Sequence, residues 1–316
     1  MKMHGASLTW ITLVACAALG IFGATRGDTL APRPMVADVA GSNGSAGSDD
    51  PVLLAAGDIA NCSIIAGAQA TANIIEGIPG TVAAIGDLAL SDGTAEEFAN
   101  CYDKTWGAFK SRTRPVPGNH EFHSAGSTPY FNYFGAAAGD PAKGYYSYEL
   151  GAWHIVALNG ECKDIGGCQA SSPEETWLRE DLRAHPAACT LAYWHEPLFS
   201  SGAAHGNNPL YKDFWRDLYN ARATIVLNGH DHDYERFAPQ DPDAKADPQR
   251  GIREFVVGTG GNHERAFLPT PQANSEVRMT GTFGVLKLTL HPKSYDWEFI
   301  PEAGKTFHDS GAGTCH

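Results

Sequence analysis

"ATIVLNGHDHDYERF", residues 223–237, begins as an apolar, β-branched run and breaks at Gly229 into two histidines one residue apart. An apolar run of this length, bounded by glycine and polar residues, reads as a buried strand. His230 and His232 then stand at its carboxyl end. Four other runs stop in the same way. "PVLLAAGD" (51–58) ends at Asp58, "TVAAIGD" (81–87) at Asp87, "RTRPVPGNH" (112–120) at Asn119 and His120, and "CTLAYWH" (189–195) at His195. Helix-like stretches lie between them, "AEEFANCYDKTWGAFK" (95–110) and "SPEETWLREDLRAH" (172–185), the second opening on Ser172-Pro173 with acids in its first turn. This alternation argues α/β with a largely central sheet. "GYYSYELGAWHIVALN" (144–159) and "TFGVLKLTLHPKSYDWEFI" (282–300) read instead as antiparallel hairpins, the second turning at His291-Pro292-Lys293.

In open α/β sheets the carboxyl ends of the strands share one edge, and ligands bind there. A single Asp or Asn at such an end is ordinarily a turn residue or a cap. Five successive ends that all carry metal-ligand types are not explained by capping. Asp58 and Asp87 offer hard carboxylate oxygens, Asn119 a neutral amide oxygen, and His195, His230 and His232 borderline imidazoles, a mixture that suits Zn, Mn or Fe. These donors exceed the needs of one tetrahedral ion, so two ions sharing a bridging carboxylate are expected.

The totals agree with a site that must capture anions locally. The chain has 316 residues, 43% hydrophobic and 19% charged, with a formal net charge of −13. No cluster of Lys or Arg reads as a nucleic-acid-binding surface. An anionic substrate meets a repelling global field, which only a strongly positive local centre overcomes.

At the N-terminus, Lys2 precedes the apolar "LTWITLVACAALGIFGA" (8–24), so residues 1–24 read as a secretory signal or N-terminal anchor. "LVAC" at Cys16 leaves a lipid anchor open as a membrane tether. Residues 25–50, rich in Gly, Ser, Asp and Pro, read as a flexible linker, and 51–316 as the catalytic domain. An exported, periplasmic or extracellular location follows. Cysteine use fits export. Of the 7 cysteines, all but Cys16 lie beyond the linker. "CKDIGGC" allows a small Cys162–Cys168 loop, with Cys62–Cys101 and Cys189–Cys315 as the accompanying pairs, among the many connectivities possible.

In order, "GDIA", "GDLAL", "GNHE", "YWHEP" and "GHDH" resemble the blocks of the calcineurin-like metallophosphoesterases, and among them the purple acid phosphatases and their bacterial relatives. The resemblance runs from about Pro51 to the C-terminus and implies a β-sandwich of mixed sheets flanked by helices, four layers αββα. It implies two metal ions (Fe, Zn or Mn) bridged by Asp87, one completed by Asp58 and His232, the other by Asn119, His195 and His230. It also implies hydrolysis of a small phosphorylated substrate, a phosphomonoester, by a metal-bound hydroxide. His120 would contact the phosphate or the leaving oxygen, and His205 would protonate the leaving group. A phosphodiesterase on the same metal core, or a phosphate-binding surface module without turnover, are the alternatives. Two positions depart from the family pattern. Ala60 stands where most members have His, and Leu90 where purple acid phosphatases have a ligand Tyr, so the protein is not expected to be purple. Water or Asn61 remains for the fourth place at the first site.

"GNHE" occurs twice, at Gly118–Glu121 and again at Gly261–Glu264. The second copy follows "GHDH", after the ligand set is complete, and only the first is expected to bind metal. The glycines of "VVGTGG" read as a tight turn that lets backbone approach the site. Glu121 and Glu196 are expected to orient neighbouring histidines. His123, His154, His185, His291, His308 and His316 fit no block and are expected to be ordinary.

Overall fold

Each of the five runs forms a strand, but they divide between two sheets. The computed structural model describes residues 50–316. The signal or anchor at 1–24 and nearly all of the 25–50 linker therefore lie outside the described residues. Asp50 itself accepts from His291 Nδ1 at 2.5 Å, which ties the start of the domain to its far hairpin.

The first sheet holds β1 (Val52–Ala56), β3 (Thr81–Ile85), β5 (Thr113–Val116), β13 (Gly284–His291), β14 (Ser294–Pro301) and β15 (Ser310–Thr314). Their spatial order is β15-β14-β13-β1-β3-β5, with β1, β3 and β5 parallel and β13 antiparallel to β1. The second sheet holds β6 (Tyr146–Leu150), β7 (Trp153–Ala157), β8 (Cys189–Tyr193), β9 (Ile225–Asn228), β10 (Tyr234–Phe237), β11 (Arg253–Val257) and β12 (Ser275–Met279). They lie in the order β12-β10-β11-β9-β8-β7-β6, parallel from β7 through β11 and antiparallel at both edges. Two-residue strands β2 (Ala60–Asn61) and β4 (Ala89–Leu90) pair in parallel just past the ligand loops. Both expected hairpins are present.

The single central sheet read from the alternation is thus corrected to a two-sheet sandwich, as the resemblance implied. Side-chain alternation gives the reason. Leu191, Tyr193, Ile225 and Leu227 join the main core, whereas Ala192, Trp194 and Val226, one residue out of phase, join a second apolar cluster with Leu178, Phe214, Trp215 and Leu218. A strand buried on both faces reads as a continuous apolar run, so the sequence cannot tell one sheet from two. Outside the first sheet lies α1 (Ala66–Glu76); outside the second lie α4 (Pro173–Ala184) and α5 (Lys212–Asn220).

Ser172 caps α4 as its sequence suggested, its hydroxyl accepting from Glu175 N. The helix expected over 95–110 does not form as one piece. Only α2 (Ala95–Glu97), with a Thr94–Glu97 capping box, is regular, followed by a wide turn at Phe98–Tyr102 and a tight helix at Trp106–Arg112. Two tertiary demands break it. Cys101 is bonded to Cys62, and the fully buried Trp106 donates to Thr71 Oγ1 at 3.0 Å. α3 (Thr128–Phe134) packs against the same segment, its aromatic side chains meeting Phe98 and Tyr102. All three disulfides pair as expected: Cys62–Cys101, Cys162–Cys168 and Cys189–Cys315.

Away from the ligand edge, buried His154 bonds Glu149 through Nδ1 and Asp181 through Nε2, both at 2.8 Å, and His185 meets Asp181 from the next turn at 3.1 Å. Burial alone would pull His154 down, but the Asp181 and Glu149 bonds outweigh it and raise it above its ordinary 6.5. Asp181 also resists burial: His154 and Ser147 bonds hold it below 3.8. The raised histidine stabilises fully below 6.5 and loses that contribution as pH rises through its folded value. The lowered aspartate stabilises above 3.8 and loses its contribution as pH falls. The melting-temperature gap between wild type and His154→Leu should therefore be widest between about pH 4 and 6.5 and narrow above it. A gap that does not vary with pH would show the pair to be silent.

Candidate metal centre

Both sheets send the carboxyl ends of their parallel strands to one edge. Asp58 follows β1, Asp87 follows β3 and Asn119 follows β5, while His195 follows β8 and His230 and His232 follow β9. The carboxylates and the amide come from one sheet and the imidazoles from the other. Across that seam Asp87 Oδ2 lies 3.2 Å from His195 Nε2, and Asp58 Oδ1 lies 3.2 Å from His232 Nε2. His230 Nδ1 is 3.3 Å from His195 Nε2. Asp87, His195 and His230 form one group whose ligand atoms all fall within 4.8 Å of one another.

The local backbone is bent to reach this arrangement. Asp58, Asp87 and His230 have φ of 60°, 53° and 69°, a left-handed conformation that costs a non-glycine residue about 1 kcal/mol or more. Two glycines are required by crowding. A Cβ on Gly118 would lie 2.3 Å from Asp87 Oδ1, and one on Gly86 2.5 Å from His195 Nδ1.

Buried Glu121 holds two ligand loops together. Its carboxylate accepts from the backbone N–H groups of Asp87 (2.9 Å), Leu88 (2.8 Å), Ala89 (3.2 Å) and Gly118 (2.8 Å). It does not orient a histidine, and neither does Glu196, whose Oε2 accepts from Asn208 Nδ2 and Tyr211 OH, each at 2.6 Å. The expectation for both glutamates is corrected: the histidines are set by backbone carbonyls. His195 Nδ1 bonds Ile85 O at 2.9 Å, and His232 Nδ1 bonds His263 O at 2.6 Å. Each ring's Nε2 is thereby turned to the carboxylate opposite.

Charge follows the packing. Burial opposes ionisation of Asp87, but His195 and His120 outweigh it and hold its carboxyl well below the usual range. His195 is driven up by Asp87 and Asp58 against its own burial. His230, desolvated and facing His195 and His205, is pushed down to about 2. Burial and the Asp87 charge lift Glu121 to about 8 despite its backbone donors.

These residues fit a cation. Asp58 Oδ1 and Asn119 Oδ1 are buried without a hydrogen-bond partner. Two ligands about 2.1 Å from one tetrahedral ion stand roughly 3.4 Å apart, close to the 3.2 Å of the cross-sheet pairs. The 2.8 Å contacts of His154 are hydrogen-bond lengths instead, so that cluster reads as an ion-pair network.

The two tetrapeptides differ at the asparagine. Asn119 Oδ1 is unpartnered, whereas Asn262 Oδ1 accepts from Asn61 Nδ2 at 3.2 Å and from His263 N at 2.9 Å. The second copy acts through its backbone. Gly260 N bonds Gly57 O and Asn262 N bonds Asp58 O, at 2.9 and 2.8 Å, while a Cβ on Gly261 would meet Ala68 N at 2.2 Å. Asn61, weighed as a fourth ligand, spends its Oδ1 on Ser63 N.

His120 lies at the edge, Nε2 3.6 Å from Asp87 Oδ2 and Nδ1 bonded to Ser91 O. The exposed His205 is brought in as well, its ring centroid 3.9 Å from that of His230. Sequence reasoning passed over Asp231, between the paired histidines. Its Oδ2 accepts from Ser200 Oγ at 2.5 Å and Gly206 N at 3.1 Å, which folds the His205 loop over the site. It also passed over Arg265, the residue directly after the second tetrapeptide.

A two-sheet α/β sandwich with Asp, Asn and His converging at one edge defines a metal-dependent phosphoesterase architecture. Over residues 45–234 the sequence matches the calcineurin-like phosphoesterases, and the chain belongs to that family, on its purple-acid-phosphatase-like side. Purple acid phosphatase 15 of Arabidopsis thaliana is 28% identical over 229 residues, 61% of this chain and 42% of that protein. Purple acid phosphatase PPD1 from yellow lupin seeds superposes with a TM-score of 0.68 at 17% identity, over 84% of this chain and 53% of that one. GAP50, the anchor in the inner membrane complex of Plasmodium, shares the fold with a TM-score of 0.64 at 12% identity, over 84% of this chain and 89% of its own. The chain thus spans about half the length of the purple acid phosphatases it matches.

Proposed function

We propose that the protein is an exported phosphomonoesterase with a two-cation centre of Fe, Zn or Mn. Asp87 would hold both cations, Asp58 and His232 would hold one of them, and Asn119, His195 and His230 the other. The observation that carries this reading is the unpartnered, buried Asn119 Oδ1 and Asp58 Oδ1 beside carboxylate–imidazole pairs at 3.2 Å. Bound there, the cations supply Lewis-acid polarisation of the phosphoryl oxygens and a water nucleophile near neutral pH.

The chain's own groups do the rest. The ligand carboxylates are buried, where their charge is least screened. His120, with Nε2 3.6 Å from Asp87 Oδ2, offsets charge on the phosphoryl or leaving oxygen. His205, its ring centroid 3.9 Å from that of His230, offers a hydrogen bond to the departing oxygen. Three disulfides support an oxidising compartment outside the cytoplasm. Leu90 supplies no phenolate, so no tyrosine-to-iron colour is expected.

A second reading, phosphate capture without turnover, is favoured by Ala60 and Leu90, which leave one position short of a protein ligand. Metal counting with a p-nitrophenyl phosphate assay separates the two. Wild type should hold about two ions and turn over; one ion without turnover selects the capture module. In parallel, Asn119→Ala should lose metal and Asn262→Ala should keep it. Equal losses would reject the assignment of the first tetrapeptide.

A further inference from the structure

Arg265 is locked in place at the rim of the site. Its N–H donates to His232 O at 3.0 Å, and its carbonyl accepts from Thr280 Oγ1 at 2.8 Å. Backbone bonds from Ala203 N to Ala266 O (2.9 Å) and from Leu268 N to Ser201 O (2.8 Å) zip its loop to the one carrying His205. From there the guanidinium Nη1 donates to His205 Nε2 at 3.0 Å. Arginine has donors only, so Nε2 is the lone-pair nitrogen of His205 and Nδ1 carries its hydrogen.

The arginine is short of acceptors. Arg236 and Arg253 pair with Glu276, and Arg236 also with Asp309, whereas Arg265 has no carboxylate partner among the described residues. Its Nε is covered by protein and finds no acceptor. A permanent cation beside His205 and His232 repels both protons and metal ions unless an anion lies against it. It also supplies local positive potential in a chain of net charge −13.

Its position says which part of a substrate it meets. The His205 ring lies 3.9 Å from that of His230, centroid to centroid, and the Arg265 guanidinium sits on His205 Nε2. A phosphoryl group at the cluster would direct its ester alcohol past His205 towards the guanidinium. We propose that Arg265 binds a second oxyanion on the alcohol, so that the favoured substrates are phosphomonoesters whose alcohol carries a carboxylate or a further phosphate. A planar fork of N–H donors suits either oxyanion. The proposal rests on the phosphomonoesterase reading above.

Matched substrate pairs test it on the metal-loaded protein. Phosphoglycerate against glycerol phosphate is the carboxylate arm, and propanediol bisphosphate against propyl phosphate the phosphate arm. Arg265→Gln should lower kcat/KM on the doubly anionic member by roughly 10- to 100-fold, chiefly through KM. On the singly anionic member the fall should be no more than about threefold, and Arg265→Lys should recover part of the loss, as a point charge does. Calorimetric binding of phosphonopropionate and propylphosphonate gives a readout without turnover: the dianion should bind more tightly to wild type, and that advantage should vanish in Arg265→Gln. If wild type hydrolyses none of the four esters, the phosphatase reading fails, and the calorimetric difference still decides the role of Arg265. Equal losses on both members of each pair, or an undiminished dianion advantage in the variant, would overturn the proposal.

Discussion

Asp87→Asn is expected to lower hydrolysis of p-nitrophenyl phosphate by roughly a thousandfold or more and to strip bound metal to at most about one ion per chain. The reason is geometric. Asp87 Oδ2 faces His195 at 3.2 Å and His120 at 3.6 Å, and its Oδ1 accepts from His120 N at 3.0 Å. The amide keeps the shape and one acceptor but loses the charge that faces both imidazoles and on which a bridging role would rest. Elemental analysis alongside the ester assay reads both effects. A variant that kept two ions and a tenth or so of the rate would remove Asp87 from the bridging role.

Glu121→Ala is expected to bring the largest loss of stability, about 4 kcal/mol, or roughly a 10 °C fall in melting temperature for a domain of this size. Four backbone donors, at Asp87, Leu88, Ala89 and Gly118, would lose their acceptor in a buried interior. Glu121→Gln should come close to the same loss, because its NH2 group turns donors towards donors. Thermal melts of both variants decide it. A shift under about 2 °C in either would mean that the ligand loops hold themselves.

Much of this was legible beforehand because strand ends and donor chemistry are local properties. The runs ending at Asp58, Asp87, Asn119, His195 and His230 each became a strand delivering its residue to the same edge. Ser172 announced α4 through its own hydroxyl. What stayed hidden depends on distant partners. The helix expected at 95–110 is broken by a bond from Cys101 to Cys62 and by a buried indole seeking Thr71. The two copies of Gly-Asn-His-Glu are identical as strings, yet Asn262 is occupied by Asn61 from the other end of the domain, while Asn119 has no partner. Glu121 and Glu196 were misassigned for the same reason: a carboxylate next to a histidine in sequence went to backbone amides in one case and to Asn208 and Tyr211 in the other.

The partition of donors, oxygen and amide groups from the first sheet and imidazoles from the second, has a mechanical meaning. A cation held between them would rivet the halves of the sandwich, so chelation should slacken the whole body and not a loop alone. Amide exchange should then quicken along β3 and β8 together, on opposite sides of the joint.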